Sequence, residues 1–334
     1  MRAWAILFDN ADQTARIRAR WRSYATIATR AVRSGVSPAE LIAGKFPFRF
    51  PDRSRPSTLS VEFTDACNLK CDYCTNPTFA HPRAYLSETD LGVIVESLRT
   101  FPVERVRVCG GEPTLHPKFE KYAQALAAHT KFLSVVTNAQ WRRPETAVGL
   151  ARAFDLVEVS IDAGGREQYE HARVGASFDR MVENLELLRT TRDELRTSCT
   201  INIRLMVRPT TEGGLAEERE RWGRIADTVM TQFIIDQRSD GSSTDVFVPV
   251  QLQERTIPRC TMPFRDLAIR ADGTVPVCHV NGTHLDESKR VILGHVSTSS
   301  LAELWNQPTI VDVRQAHRER NESKLEFCRG CSGR

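Results

Sequence analysis

The chain alternates short β-branched and apolar runs with longer windows in which apolar residues recur every three or four positions. The runs predict strands, and the windows predict amphipathic helices. The predicted strands are residues 58–64, 105–109, 132–137, 156–161, 200–207 and 229–235. The predicted helices are residues 88–100, 117–129, 144–153, 178–192 and 214–225. This alternation predicts a parallel sheet, open or closed into a full or partial barrel, with its chemistry at the C-terminal ends of the strands.

Two stretches without this alternation of strands and helices flank the alternating part, so three domains are predicted. Residues 1–57 are basic, helical in pattern and end in a proline-rich linker; we favour a solvated helix face, with a lid or docking arm as the alternative. Residues 58–237 form the alternating part. Residues 238–334 are loop-rich and contain a hairpin-type turn at Ala271-Asp272-Gly273 and a helix that starts at Ser300 and is capped by Glu303.

Composition narrows the class of protein. Hydrophobic residues make up 41% and charged residues 26% of the 334 positions, as in globular chains that bury a core. The net charge of +4 gives no reason to expect nucleic acid as a partner. No apolar run approaches the roughly 18 residues of a membrane span, and no secretory signal is evident, so we expect a cytoplasmic protein without membrane contact. There, the 9 cysteines point to metal ligation and not to disulfides.

The first cysteine group follows the first predicted strand. Cys67, Cys71 and Cys74 have the spacing C-x3-C-x2-C. Three thiolates on one loop can hold three irons of a cubane [4Fe–4S] cluster and leave the fourth iron open for a small molecule. The alternative is a zinc site with His81 as its fourth ligand, although zinc sites usually pair cysteines as C-x2-C.

This cysteine loop resembles the signature of the radical S-adenosylmethionine (SAM) superfamily. One βα unit later stands Gly110-Gly111-Glu112-Pro113, which resembles the family segment that contacts the amino group of the SAM methionine. Its glycines allow close approach of the backbone to a ligand. The resemblance implies an α/β fold with a partial (β/α)6 barrel, a SAM-binding [4Fe–4S] cluster with an open iron, and a flavodoxin or ferredoxin type electron donor.

The resemblance extends with less detail to other SAM contacts. Tyr73 stands where the family places a residue whose backbone meets the adenine. Asn138, Ser160 and Asp162 end the third and fourth strands, where the family binds the ribose and carboxylate of SAM. Arg204, inside the fifth strand, resembles a position that pairs with the SAM carboxylate. The plain alternatives are a helix cap for Asn138, turn formers for the Ser160–Asp162 pair, and a buried ion pair for Arg204.

A second cysteine group lies near the C-terminus. Cys260, Cys278, Cys328 and Cys331 supply four thiolates, which can saturate a [4Fe–4S] cluster or a structural zinc. The segment resembles the short Twitch version of the SPASM auxiliary domain, which implies one auxiliary cluster held entirely by protein. His279 adjoins Cys278 and could replace a ligand, but a histidine beside the cluster is the preferred interpretation.

Two cysteines belong to neither group. Cys199 begins the fifth strand, at the bottom of a barrel, and is interpreted as packing. Cys109 directly precedes Gly110 at the reactive end of the second strand. It is the candidate catalytic thiol, because it could donate a hydrogen atom to a substrate radical. The preferred interpretation, however, is a small filler beneath SAM.

The family chemistry implies reductive cleavage of SAM to a 5′-deoxyadenosyl radical, which abstracts hydrogen from a C–H bond. Our primary hypothesis is a small polar substrate of sugar, aminocyclitol or nucleoside type, with dehydrogenation or epimerisation as the outcome. The first alternative is a maturase that modifies a peptide or protein. A distant alternative, from another class, is a structural protein with two zinc ions.

Overall fold

The computed structural model of the chain describes residues 50, 51, 53–76, 83–234, 245, 246, 257, 260–283, 287–329 and 331. The predicted N-terminal helices and the candidate ligand His81 lie outside these residues. None of the helices within the described residues is both long enough and apolar enough to cross a lipid bilayer.

The strands confirm the predicted pattern to within two residues at each end. They are β1 (Thr58–Thr64), β2 (Lys70–Cys71), β3 (Arg105–Gly110), β4 (Leu133–Thr137), β5 (Leu156–Asp162), β6 (Arg173–Val174), β7 (Thr200–Val207), β8 (Thr228–Phe233), β9 (Asp266–Ile269), β10 (Thr274–Pro276) and β11 (Ile292–His295). The main sheet has seven strands in the order β8-β7-β5-β4-β3-β1-β9, and all its pairings are parallel. The fold is therefore the α/β partial barrel that was predicted.

The helices follow the strands as expected for βα units. They are α1 (Glu88–Thr100), α2 (Phe119–Ala127), α3 (Glu145–Ala153), α4 (Gly165–Ala172), α5 (Phe178–Leu195), α6 (Leu215–Gly223), α7 (Met262–Arg265), α8 (His279–Gly282), α9 (Leu301–Trp305) and α10 (Pro308–Glu319). A capping box between Ser300 and Glu303 starts α9 as predicted. Helix α4 and the two-residue strands β2 and β6 were not predicted.

The two faces of the sheet differ in polarity. In β5, Val157, Val159 and Ile161 are fully buried on one face, while Glu158, Ser160 and Asp162 point to the other because side chains alternate along a strand. Strands covered on both faces usually read as continuous apolar runs. The polar face of β5 therefore marks the barrel interior as a place for chemistry.

Strand β9 links the C-terminal part of the chain to the barrel. It lies beyond residue 238, yet it pairs with β1 from Thr58↔Asp266 to Val61↔Ile269. The predicted turn is present, with Gly273 at φ +82°. The Arg270 amide donates to the Thr274 carbonyl at 2.8 Å across the turn, but the flanking strands belong to different sheets, since β9 pairs with β1 and β10 with β11. The domain boundaries stay a prediction. Strand β1, which precedes the first cysteine group, pairs with β3 of the barrel part and with β9 of the C-terminal part.

The glycines after β3 are required by a close approach to the cysteine loop. The Gly111 amide donates to the Thr64 carbonyl at 2.8 Å, and the Glu112 amide donates to the Ala66 carbonyl at 2.8 Å. A Cβ at Gly111 would lie 2.2 Å from the Ala66 oxygen. Sequence reasoning assigned these glycines to a ligand, and the structure adds a neighbouring backbone that also excludes a side chain.

This contact predicts the effect of Gly111→Ala. The added methyl group would collide with backbone, so we expect the free energy of unfolding to fall by about 1–3 kcal/mol. The matched control is Gly92→Ala in α1, where nothing lies within 4 Å of the new Cβ, and a gain of about 0.5–1 kcal/mol is expected. Urea unfolding followed by circular dichroism measures both. Equal stabilities for the two variants would contradict the packing argument.

Candidate active site

The first cysteine loop is anchored by a small second sheet. It begins after β1, and β2 within it pairs antiparallel with β6, so that Cys71 lies opposite Arg173. The Cys74 amide donates to the Cys71 carbonyl at 3.2 Å. The three cysteines therefore lie at the C-terminal end of the main sheet, where parallel α/β folds place their chemistry.

The environment of these thiols suits iron ligation. The Leu69 amide approaches the Cys67 sulfur at 3.5 Å, and the Asn76 amide approaches the Cys74 sulfur at 3.4 Å. Burial raises the pKa of Cys67 to about 11 and that of Cys71 to about 12. Buried thiolates of this kind form when bound iron supplies compensating positive charge. The donor set therefore fits a cluster with three protein ligands.

Behind the loop lies a buried network of three polar side chains. Arg173 forms an ion pair with Asp162 through its Nε and donates from Nη2 to the Tyr73 hydroxyl at 2.9 Å. That hydroxyl donates to Asp162 Oδ2 at 3.2 Å. All three residues are less than 9% exposed. The network connects the cysteine loop to the end of β5.

The two carboxylate oxygens of Asp162 differ in their hydrogen bonding. Its Oδ1 is buried and has no hydrogen-bond partner among the described residues. A buried acceptor normally finds a donor, and a ribose hydroxyl would supply one. The SAM contact of Asp162 remains a prediction. Tyr73 was predicted to act through its backbone; in the structure its side chain is part of the network behind the loop.

Hydrogen bonds of Glu112 and Asn138 connect the ends of β3 and β4. The Glu112 carboxylate accepts from the Thr114 hydroxyl at 2.7 Å, from the Thr137 hydroxyl at 2.8 Å and from the Asn138 amide at 2.7 Å. Asn138 Nδ2 in turn donates to Asn68 Oδ1 at 2.9 Å and lies 3.9 Å from the Cys67 sulfur. The side chain of Glu112 is thus used internally. A SAM contact from this segment, including Pro113, would have to come from its backbone.

Arg204 takes part in an ion pair across the barrel interior. Its Nη2 lies 2.5 Å from Glu158 Oε2, and its Nη1 donates to Gln232 Oε1 at 2.8 Å. Arg107 reaches the same Glu158 oxygen at 3.6 Å. These contacts correspond to the ion pair that was given as the alternative role of Arg204. Ser160, the register partner of Arg204, is half-buried beside it, and SAM contacts for both remain predictions.

Cys109 faces the interior next to a buried glutamate. It is the register partner of Glu62 in the parallel pair of β1 and β3, so both side chains lie on the same face. Glu62 Oε1 lies 3.4 Å from Arg270 Nη1 and 4.0 Å from His279 Nδ1. Burial raises the pKa of Cys109 to about 12, so this thiol keeps its proton. Its role as a hydrogen donor remains a prediction.

The second cysteine group surrounds an apolar cavity. The cavity is lined by Cys260, Met262, Pro263, Val277, Cys278, Val280, Val313, His317, Phe327, Cys328 and Cys331. Among the described residues, no three His, Cys, Asp or Glu side chains converge closely enough to hold one metal ion. A cubane gives each iron its own thiolate, so its four ligands lie around a space and not at a point. Burial raises the pKa of Cys278 to about 12, as it does for buried cysteines in the first group.

Backbone amides also approach the second group. The Met262 amide lies 3.4 Å from the Cys260 sulfur, and the Asn281 amide lies 3.3 Å from the Cys278 sulfur. Hydrogen bonds to cluster sulfurs are a usual means by which proteins adjust iron–sulfur centres. The other lone cysteine, Cys199, is 3% exposed and lies directly before β7.

The fold and the two cysteine groups define an enzyme of the SAM-cleaving iron–sulfur class, and comparisons with known proteins agree. The sequence model of the radical SAM superfamily matches residues 61–206, and that of the SPASM iron–sulfur cluster-binding domain matches residues 260–332. The chain belongs to the radical SAM superfamily and carries a SPASM-type auxiliary domain. It therefore binds SAM and [4Fe–4S] clusters, and the zinc alternatives are not supported.

Individual proteins show how far the likeness extends. The mycofactocin maturase MftC of Mycobacterium tuberculosis is 34% identical over 135 residues, which are 40% of this chain and 34% of that protein. The chain thus matches about a third of the length of this relative. Streptococcus suis SuiB bound to the precursor peptide SuiA has a TM-score of 0.62 at 14% identity, over 78% of this chain and 67% of that one. BtrN in complex with AdoMet and 2-DOIA has a TM-score of 0.52 at 15% identity, over 83% and 93%.

Three residues that can take part in the chemistry of the site were not predicted from the sequence. Glu62 is the one charged residue of β1, TLSVEFT, and this charge is a signal that could have been used. Arg173 and His317 carry no local signal. Their partners Asp162 and Cys328 are each 11 positions away in sequence, and only folding brings them together.

The two cysteine groups predict separable losses of iron. An anaerobically reconstituted chain should hold about eight irons, four for each cubane cluster. Cys71→Ala should lower this to about four and abolish the effect of added SAM on the electron paramagnetic resonance (EPR) spectrum. Cys328→Ala should also lower it to about four and leave that SAM effect in place. Cys199→Ala is the matched control and should keep all the iron.

The assignment fails if either ligand variant retains the wild-type iron content. It fails equally if both variants lose the same spectroscopic signal, because two independent clusters cannot share one response.

Proposed function

We propose that this radical SAM enzyme is a maturase that oxidises a peptide or protein substrate. The observation that carries the proposal is the 34% identity with a mycofactocin maturase. The likeness of fold to SuiB, solved with a precursor peptide, gives further support. Radical SAM enzymes need a reductant, and we propose a flavodoxin or ferredoxin type donor and a cytoplasmic location.

Strand β8 has features that suit an extended substrate, as far as the described residues define this edge of the sheet. β8 is an edge strand of the main sheet, and its Met230 and Phe233 are 57% and 47% exposed. Extended peptides commonly add to such edges through main-chain hydrogen bonds, with side chains held in neighbouring pockets. Gln232 and Arg204 lie beside this edge on the interior face, where they could bind polar groups of a peptide.

When bound, SAM and the two clusters supply a radical that removes one hydrogen atom from the substrate, and an acceptor for one electron. A substrate oxidised in this way must also lose one proton. The chain itself offers Glu62 for that proton, because this carboxylate is buried at the reactive end of β1. Loss of a hydrogen atom, a proton and an electron together gives a product oxidised by two electrons.

The surroundings of Glu62 suit a proton acceptor. Burial raises its pKa to about 6, while Arg270 opposes the shift. A base with a pKa near the working pH is ionised and still binds a proton well. Oε2 accepts from the Ala271 amide at 3.3 Å, which fixes its orientation. The His279 side chain is 33% exposed, so a proton on Glu62 has a polar route towards solvent.

A small polar substrate is the second candidate. The likeness to BtrN, which was solved with 2-DOIA, covers 93% of that chain and favours this reading. Sugars, aminocyclitols and nucleosides would find charged partners in Arg107, Glu158 and Arg204. Dehydrogenation would again use Glu62, whereas epimerisation would use the Cys109 thiol, which stays protonated, as a hydrogen donor.

A substrate panel tests the maturase proposal. The reconstituted enzyme is incubated with SAM and dithionite, and with either precursor peptides encoded beside its gene or a set of sugars, aminocyclitols and nucleosides. We expect 5′-deoxyadenosine to rise above the substrate-free rate only with a peptide, which should lose two hydrogens by mass. Deuterium transfer from labelled peptide into 5′-deoxyadenosine identifies the carbon attacked. Stimulation by a small polar compound alone would overturn the proposal in favour of the second candidate.

Glu62→Gln tests the proton acceptor. In the wild-type enzyme, the turnover rate should rise with pH through about 6, because the carboxylate must be deprotonated to act. The variant should lose this step in the pH profile and turn over about 10²–10⁴-fold more slowly. Substrate-free cleavage of SAM should stay unchanged. Glu104→Gln, an exposed glutamate paired with Arg53, is the control and should keep the wild-type profile.

A further inference from the structure

His317 is buried beside a ligand of the auxiliary cluster. It lies on α10, is 4% exposed and lines the apolar cavity of the second cysteine group. Its Nε2 is 4.0 Å from the Cys328 sulfur, and its ring meets the edge of Phe264 at a centroid distance of 6.4 Å. Within this cavity, Nε2 therefore faces the sulfur of a cluster ligand.

The chemistry of the contact fixes which atom carries the proton. Either ring nitrogen of a neutral imidazole can carry its single N–H hydrogen, and both nitrogens carry one in the imidazolium. An iron-bound thiolate offers lone pairs and no proton, so an attractive contact requires the hydrogen on Nε2.

Arg314 brings a buried positive charge to the same side of α10. Its Nε donates at 2.7 Å to the carbonyl of Pro263, a residue of the cavity lining, and its Nη1 donates at 2.9 Å to the Trp305 carbonyl. The guanidinium lies 3.8 Å from the centroid of the Trp305 ring. Its Nη2 has no hydrogen-bond partner among the described residues. Burial lowers the pKa of Arg314 to about 10, so it remains charged at neutral pH.

We propose that this face of α10 sets the reduction potential of the auxiliary cluster. His317 donates a hydrogen bond to the Cys328 thiolate, and Arg314 supplies positive charge in a poorly solvated region. Reduction adds negative charge to the cluster, and both groups stabilise that charge. They raise the potential and favour the cluster as an electron acceptor. The inference rests on the accepting role proposed above, but its test needs no substrate.

The test is a potentiometric titration of the full-length, anaerobically reconstituted enzyme. EPR follows each cluster, and added SAM marks the signal of the first one. His317→Phe and Arg314→Met should each shift the auxiliary potential to a more negative value, while the first cluster stays unchanged. His317→Gln keeps an N–H donor and should recover most of the shift. Arg318→Met, an exposed arginine on the same helix, is the charge control and should have little effect.

An unchanged potential in His317→Phe with full iron content would overturn the role of the histidine, and an equal shift in Arg318→Met would overturn that of buried charge. Should a variant fail to hold its clusters, electron–nuclear double resonance of wild-type protein labelled with [15N]histidine decides the matter. A nitrogen coupling to the reduced auxiliary cluster, retained in His279→Gln, supports the hydrogen bond. Absence of that coupling rejects it. Failure of the maturase proposal would leave these results unaffected, because it concerns the substrate.

Discussion

The position of the SAM-binding cluster depends on one buried ion pair, Arg173 with Asp162. Removing one partner of such a pair typically costs about 3–5 kcal/mol, because the other charge is left buried and uncompensated. Arg173 follows α4 and lies opposite Cys71, and Asp162 ends β5. The Tyr73 hydroxyl binds both residues. The cysteine loop therefore cannot move away from the end of β5 without exposing or breaking this network.

Strand β1 connects the SAM-binding site with the auxiliary part of the chain. One neighbour, β3, ends in the Gly110-Gly111 segment that packs against the cysteine loop, and the other neighbour, β9, leads into the auxiliary part. Glu62 lies on β1, close to Cys109 on one side and to Arg270 and His279 on the other. The Glu62 carboxylate lies 4.0 Å from His279, the residue that follows the auxiliary-cluster ligand Cys278. The proposed proton acceptor and the proposed electron acceptor are therefore neighbours in the structure.

Burial of the thiols links cluster assembly to the fold. Cysteines of both groups have pKa values raised by burial, so the chain without iron keeps them as neutral thiols in partly apolar sites. Iron converts them to thiolates and neutralises their charge at once. Auxiliary-domain residues that do not touch iron directly, such as His317 and Arg314, then act on the electronic properties of the cluster more than on its capture.

The sequence by itself determined what depends on short-range periodicity and on cysteine chemistry: six strands of the main sheet, the barrel helices apart from α4, both ligand groups and the Gly-Gly segment. Tertiary structure alone decided the pairing of β9 with β1 and the contact of Glu62 with Arg270, whose partners are 208 residues apart. β2 and β6 are two residues each, too short to leave a periodic pattern. Local patterns encode which face of an element is apolar, whereas the meeting of distant polar groups depends on how those faces pack.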